Sequence, residues 1–244
     1  MPGKQTSPDL SLVIPVYNEE ESLPELFQEL LEILKKISSN FEIIAVDDGS
    51  NDNSNSILRE FAQKDDRIIV ISFRRNYGQS AAFAAGFRIA RGNVIVTMDA
   101  DLQNDPHDIP LLLEKIKSYD MVCGWRANRQ DPWVKKVSSR IANRIRNWLS
   151  EEQIKDVGCS LKAFRRECLH GFYYFNGMHR FFPTLVKMGG YSVIEVKVNH
   201  RPRKYGQSKY GIRNRALRGL FDLLAVRWMK HRRINYEIKE IINK

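Results

Sequence analysis

Cysteine is scarce. Cys123, Cys159 and Cys168 are the three in 244 residues, and no pair has the Cys-x-x-Cys spacing of a zinc or redox site. An odd number without a ligand pattern fits a reducing compartment, where thiols stay free. Long apolar runs are absent too. The run over residues 219–226 is broken by Asp222, and nothing approaches the roughly 18 apolar residues that a membrane span needs. Residues 1–5 open no apolar signal segment, which argues against export. No Gly-x-Gly-x-x-Gly follows an apolar run and no Gly-x-x-x-x-Gly-Lys-[Ser/Thr] occurs, so the dinucleotide-binding and P-loop readings fail. Internal repeats, low-complexity tracts and Gly/Pro/Ser-rich linkers are missing, which predicts one domain over residues 1–244. With 43% hydrophobic and 28% charged residues, the chain is neither disordered nor fibrous.

What is present is charge in two blocks. Residues 1–131 hold 14 Lys and Arg against 21 Asp and Glu, and residues 132–244 hold 25 against 8. An acidic part of net −7 therefore precedes a basic part of net +17. A basic part so large calls for an anionic partner: nucleic acid, an anionic membrane face or a phosphate-bearing substrate.

The acidic part alternates strand and helix signals. Residues 12–16, 41–46, 68–73, 94–98 and 121–125 read as strands, several of them apolar runs without polar alternation, as in strands buried on both faces. Ser22 precedes a helix whose Leu23, Leu26, Phe27, Leu30, Leu34 and Ile37 recur at helical spacing, with Glu25 as capping-box partner. Further helices are predicted over 53–63, 80–91 and 108–118. This alternation predicts an α/β fold with a mostly parallel central sheet flanked by helices. Ligands of such sheets bind outside the carboxyl ends of the strands. Tyr17, Asn18, Glu19, Asp47, Asp48, Asp99, Asp101 and Arg126 all follow strands, so they are expected to converge on one rim.

The basic part reads differently. Residues 133–149 predict a helix with Lys135, Lys136, Arg140, Arg144 and Arg146, and residues 191–200 a half-exposed strand. Residues 212–229 predict a second basic amphipathic helix with Leu217, Leu220, Leu224 and Trp228 on one face.

Asp99 and Asp101 leave a strand two residues apart, so both can reach one hard cation such as Mg2+ or Mn2+. Acidic residues after strands also cap helices, so the pair alone leaves both uses open. Asp48 can contact a base or ribose. A receiver-type phospho-acceptor pocket also uses paired acids, in about half this length. The loop His200-Arg201-Pro202-Arg203-Lys204-Tyr205-Gly206-Gln207-Ser208-Lys209-Tyr210 suits either a diphosphate clamp or an exposed basic turn. Cys159 reads as a small buried hydrophobe and His179 as structural.

Taken in order, three segments resemble the family-two glycosyltransferases of GT-A fold: Val13-Ile14-Pro15-Val16-Tyr17-Asn18-Glu19-Glu20, Val46-Asp47-Asp48-Gly49-Ser50 and Asp99-Ala100-Asp101-Leu102-Gln103-Asn104-Asp105-Pro106. Within them the chain is similar to the polyprenyl-phosphate glycosyltransferases, of dolichyl-phosphate mannose synthase and undecaprenyl-phosphate aminoarabinose transferase type. The segments Arg75-Asn76-Tyr77-Gly78-Gln79, Asn128-Arg129-Gln130-Asp131, Asp156-Val157-Gly158-Cys159 and Tyr205-Gly206-Gln207-Ser208-Lys209-Tyr210 extend the likeness to about residues 10–230. The resemblance implies a nucleotide-sugar-binding part over 8–131 and a basic acceptor- and membrane-facing part over 132–244. Pro15, Tyr17 and Glu19 would line the nucleotide pocket, and Val46 and Asp48 would contact the base. Asp99, Ala100 and Asp101, with Gln103 nearby, would hold ribose, metal and diphosphate. Arg126, Arg203 and Lys209 would bind the donor diphosphate or the acceptor phosphate, and Asp156 would act as base or orienting group.

The implied reaction is metal-dependent, inverting transfer from a GDP- or UDP-sugar to a polyprenyl phosphate, with Mg2+ or Mn2+ as cofactor. Many bacterial relatives carry two transmembrane helices after this region, and this chain ends at Lys244 without them. The expectation is therefore a cytoplasmic enzyme held peripherally on the inner membrane face, by its own basic helices on anionic lipid or with a membrane-anchoring partner subunit. Two other readings compete. One is a soluble transferase acting on a sugar hydroxyl, which would want an evident base. The other is a nucleic-acid-binding module, disfavoured because the acidic rim repels phosphate.

Overall fold

The computed structural model describes residues 7–127, 154–205, 213–234 and 239–240. Seven strands are present among them: β1 (Leu10–Val16), β2 (Phe41–Asp47), β3 (Ile68–Ser72), β4 (Val94–Thr97), β5 (Met121–Trp125), β6 (Lys162–Arg165) and β7 (Val193–Lys197). The helices are α1 (Leu23–Ile37), α2 (Ser54–Lys64), α3 (Gln79–Ile89), α4 (Ile109–Lys115), α5 (Phe182–Met188) and α6 (Arg213–His231). The strands form one sheet of order β3-β2-β1-β4-β6-β5-β7. β1 pairs in parallel with β2 and β4, β2 with β3, and β5 with β7. β6 alone is reversed, antiparallel to both β4 and β5. The residues before β6 therefore share a rim with those that follow β1, β2, β4, β5 and β7.

The apolar runs form strands because both sheet faces are covered. Alternate residues go to opposite cores. Leu12, Ile14, Ile43 and Ala45 pack with Leu23, Leu26, Phe27 and Leu30 of α1 on one face. Val13, Ile44 and Val46 pack with Ala82, Phe83 and Phe87 of α3, and with Phe182 of α5, on the other. α3 lies very close to β1: a Cβ on Gly86 would fall 2.3 Å from Val13 Cγ1.

Several expectations need correction. α1 starts at Leu23, but no capping box forms. Ser22 already has helical torsions (φ −91°, ψ −29°) and makes no side-chain cap. Its hydroxyl donates instead to the carbonyls of Glu19 and Ala100. The predicted helix over 108–118 divides into a short 3-10 turn, Pro106–Asp108, and α4. The predicted strand over 191–200 narrows to β7. The predicted helix over 133–149 lies outside the described residues. Among the described side chains of α6, Leu223 and Val226 are buried, whereas Leu220, Phe221, Leu224 and Trp228 are exposed. Leu220, Leu224 and Trp228 of the predicted stripe thus face away from the sheet, Leu217 lying outside the described side chains, and Asp222 ties the helix to Arg180 at 3.2 Å.

Candidate active site

The rim is assembled by side chains that bind the loop next door. Asn18, after β1, takes a left-handed backbone (φ +51°). Its N–H donates to Ser50 Oγ, and its Oδ1 accepts from the N–H of Asn51 after β2. Asp47 is spent on the turn, accepting from Ser50 N–H and Asn55 Nδ2. Asp48 points elsewhere. Its two oxygens accept from the N–H groups of Tyr77 and Gly78 at 2.7 and 2.8 Å. Burial raises its pKa and those two bonds oppose the rise.

After β4, Asp99 accepts from Gln79 Nε2 at 2.8 Å. Burial, then the neighbouring charge of Asp101, pushes the Asp99 pKa up to about 6, against the opposing influence of Ser160, Lys162 and Arg126. The next carbonyl, of Ala100, is held by Ser22 Oγ at 2.8 Å. Leu102 then turns left-handed at φ +61° while buried in the core. For a leucine that conformation costs about 1–2 kcal/mol, and the packing of its side chain holds it there. Gln103 N–H closes the turn onto Asp101 Oδ1 at 3.1 Å.

Two further loops converge on this one. After β7, Arg201 N–H donates to Gln103 O at 2.9 Å. The Arg201 guanidinium binds both oxygens of Glu29 and Oδ1 of Asp105. Arg203 reaches Asp101 Oδ2 at 2.6 Å. Before β6, Ser160 Oγ donates to Asn104 Oδ1 at 2.6 Å, and Asn104 Oδ1 in turn accepts from Asp99 N–H. Arg126, after β5, meets Asp156 in a two-pronged pair: Nε to Oδ2 at 2.7 Å and Nη2 to Oδ1 at 2.9 Å. Burial works against the Arg126 charge, but the Asp156 bonds outweigh it and hold its pKa above the ordinary arginine value. Lys162, buried on β6, donates to the carbonyls of Val157 and Cys159 and fixes the turn that carries Asp156.

The rim therefore brings together Asp48, Asp99, Asp101, Gln103, Arg126, Asp156 and Arg203. Tyr17 and Glu19 sit half-buried beside it, in the loop that follows Pro15. The side chains of Val46 and Ala100 are buried in the two cores, so what they offer to the rim is backbone. Lys209 lies outside the described residues. Asp156 carries three hydrogen bonds from Arg126, counting that of the Arg126 backbone N–H. Burial pushes the Cys123 thiol up to about 12 and raises that of Cys159, so neither is a nucleophile. Gln79 and Ser160 were not singled out from the sequence. The only signal for Gln79 was its place in Arg75-Asn76-Tyr77-Gly78-Gln79.

The oxygen-only donor set of Asp99, Asp101 and the Gln103 amide fits a hard divalent cation, and a buried carboxylate whose charge is opposed by a neighbouring one, as Asp99 is by Asp101, is the electrostatic setting such a cation relieves. Glu29, Asp105 and His107 also offer ligand atoms within 4.8 Å of one another. There the Arg201 guanidinium already binds Glu29 and Asp105, so that cluster carries its own cation.

Residues 11–172 match the family model described as glycosyl transferase family 2. The chain is 41% identical over 217 residues to the undecaprenyl-phosphate 4-deoxy-4-formamido-L-arabinose transferase of Proteus mirabilis, an alignment covering 88% of this chain and 66% of that protein. The fold is similar to that of the mannosyltransferase PcManGT from Pyrobaculum calidifontis, solved with GDP-Man and Mn2+ (TM-score 0.62, 19% identity, 95% of this chain and 66% of that one). It is also similar to the glucosyl-3-phosphoglycerate synthase from Mycobacterium tuberculosis, solved with Mn2+, UDP and phosphoglyceric acid (TM-score 0.64, 18% identity, 92% and 76%).

Proposed function

Because the chain belongs to glycosyl transferase family 2, we propose that it moves a sugar from a nucleoside-diphosphate sugar to a polyprenyl phosphate, of the undecaprenyl type named for its Proteus relative. The observation that carries this reading is the rim itself, where Arg203 binds Asp101 and the charge of Arg126 acts on Asp99, with Asp48 at the end of the strand beyond β1. Asp48 lies on the base side. Asp99 and Asp101, with Gln103, would hold Mg2+ or Mn2+, which when bound neutralises the charge that builds on the leaving diphosphate.

In the transfer, an oxygen of the acceptor phosphate attacks the anomeric carbon. The bond from that carbon to the diphosphate oxygen breaks, and the configuration inverts. No proton has to move, because the acceptor is already an anion at neutral pH. Arg203 and Lys209 are assigned to the phosphates, and Arg126 is set in place by Asp156. A sugar-hydroxyl acceptor would need a base, and Asp156 is already committed to Arg126.

The test offers labelled UDP- and GDP-sugars, with Mn2+, to undecaprenyl phosphate and to soluble sugar acceptors. Label is expected in the lipid extract and is expected to disappear in excess EDTA. Label found only on water-soluble acceptors would overturn the assignment.

The same reading places the protein peripherally on an anionic membrane. α6 exposes Phe221 at 70% and Trp228 at 64%, with Leu220 and Leu224 beside them. Residues 201–236 hold 11 Lys and Arg against the single acid Asp222. Each cation near an anionic surface contributes about 1 kcal/mol, screened by salt. Co-sedimentation with phosphatidylglycerol vesicles is expected at low salt, weakening as salt rises, with little binding to neutral vesicles. Replacing Phe221 and Trp228 by Asp should abolish most of it. Equal, negligible binding of the parent protein to both vesicle types would count against a lipid acceptor.

A further inference from the structure

Three consecutive residues at the start of α3 serve two carboxylates on different strands. Tyr77 and Gly78 give their N–H groups to the two oxygens of Asp48, and Gln79 Nε2 binds Asp99 Oδ1 at 2.8 Å. Asp48 follows β2, Asp99 follows β4, and β1 runs between them. One turn therefore spans about 10 Å of rim, two strand spacings. Its position is firmly set. Gly78 takes φ +93°, which a side chain would strain. Ser80 Oγ accepts from Gly177 N–H and bonds the His179 ring at 2.8 Å, and α3 is packed against β1 through Gly86.

The residue type is informative as well. A glutamine supplies an N–H without charge. A glutamate there would add a third carboxylate beside Asp99 and Asp101, and a lysine would add a cation competing with the metal. We propose that Gln79 is the positioning residue for Asp99: its amide fixes the rotation of that carboxylate by engaging Oδ1, so that the other oxygen is the one offered to the divalent cation. This rests on the reading of Asp99 and Asp101 as metal ligands. Hydrogen-bonding partners that orient ligands typically change metal affinity 10–100-fold when removed.

The test titrates the whole chain with Mn2+ alone and follows free Mn2+ by electron paramagnetic resonance, for the parent protein, Gln79→Met and Gln79→Asn. Methionine keeps the shape without the donor, and asparagine is one methylene too short to reach. Both variants are expected to bind Mn2+ at least 10-fold more weakly, with melting temperatures in metal-free buffer within about 2 °C of the parent's. If Gln79→Met fails to fold, Gln79→Asn decides. Affinities within twofold of the parent's would overturn the role of Gln79 while leaving the metal site intact. Weakening only in step with a lowered metal-free melting temperature would reduce the residue to a structural one and overturn the proposal too. A parent protein that binds no Mn2+ would overturn the metal assignment itself, and this inference with it.

Discussion

Asp101→Ala is expected to lower turnover at least 100-fold, a loss of about 3 kcal/mol of transition-state stabilisation. The substitution removes one of two paired carboxylates and deprives Arg203 of its only carboxylate contact among the described residues. The fold should survive. Asp101 lies at the rim, and the Leu102 turn is held chiefly by the burial of Leu102 and by the Ser22 bond to the Ala100 carbonyl. Initial rates with saturating donor, beside a thermal melt of the variant, separate chemistry from folding. A variant within tenfold of the parent's rate, or a parent enzyme unaffected by excess EDTA, would refute the metal-dependent mechanism.

Asp156→Ala is expected to act on stability as much as on rate. The Asp156 side chain is 6% exposed and that of Arg126 14%. Removing the carboxylate leaves a guanidinium in a largely buried site without its partner, which costs about 3–5 kcal/mol. In a domain of this size each kcal/mol moves the melting temperature by about 2–4 °C, so a drop of about 10 °C is expected. Removing both charges, as Arg126→Leu with Asp156→Ala, should recover more than half of the stability and none of the activity. Urea denaturation measures both. A single variant within 1 kcal/mol of the parent would mean that solvent screens the pair.

The first five strands were legible because each is covered on both faces and reads as an apolar run, as in Leu10–Val16 and Phe41–Asp47. The rim was legible for the same reason: once the strands are parallel, the polar residues that follow them share an edge. β6 was not legible. Its four residues, Lys-Ala-Phe-Arg, are too short for a periodic signal, and a lysine that opens a strand gives no hint of being 2% exposed. Ser22 was misread because a local pattern, Ser-x-x-Glu, competed with a contact to Ala100, 78 positions away. Gln79 escaped notice for the same reason, its partner Asp99 being 20 positions on. On α6 the spacing found the apolar residues but not their direction. Leu223 and Val226 meet the core, while Leu220, Leu224 and Trp228 do not.

The reversed strand β6 has a consequence for the order in which the protein is made. β1 to β4, with α1 to α3, can assemble as soon as Thr97 has left the ribosome, because their partners all precede it. β5 has no such partner. Its two neighbours are β6 and β7, both synthesised later, and the outer edge of β4 also stays bare until Lys162–Arg165 arrives. During that interval the nascent chain displays an unpaired strand edge beside a finished half-sheet, the kind of surface that mispairs with other chains. The half of the rim that carries Asp48 is thus built early, and the half that holds Arg126 and Asp156 closes only when a late strand is inserted between two earlier ones.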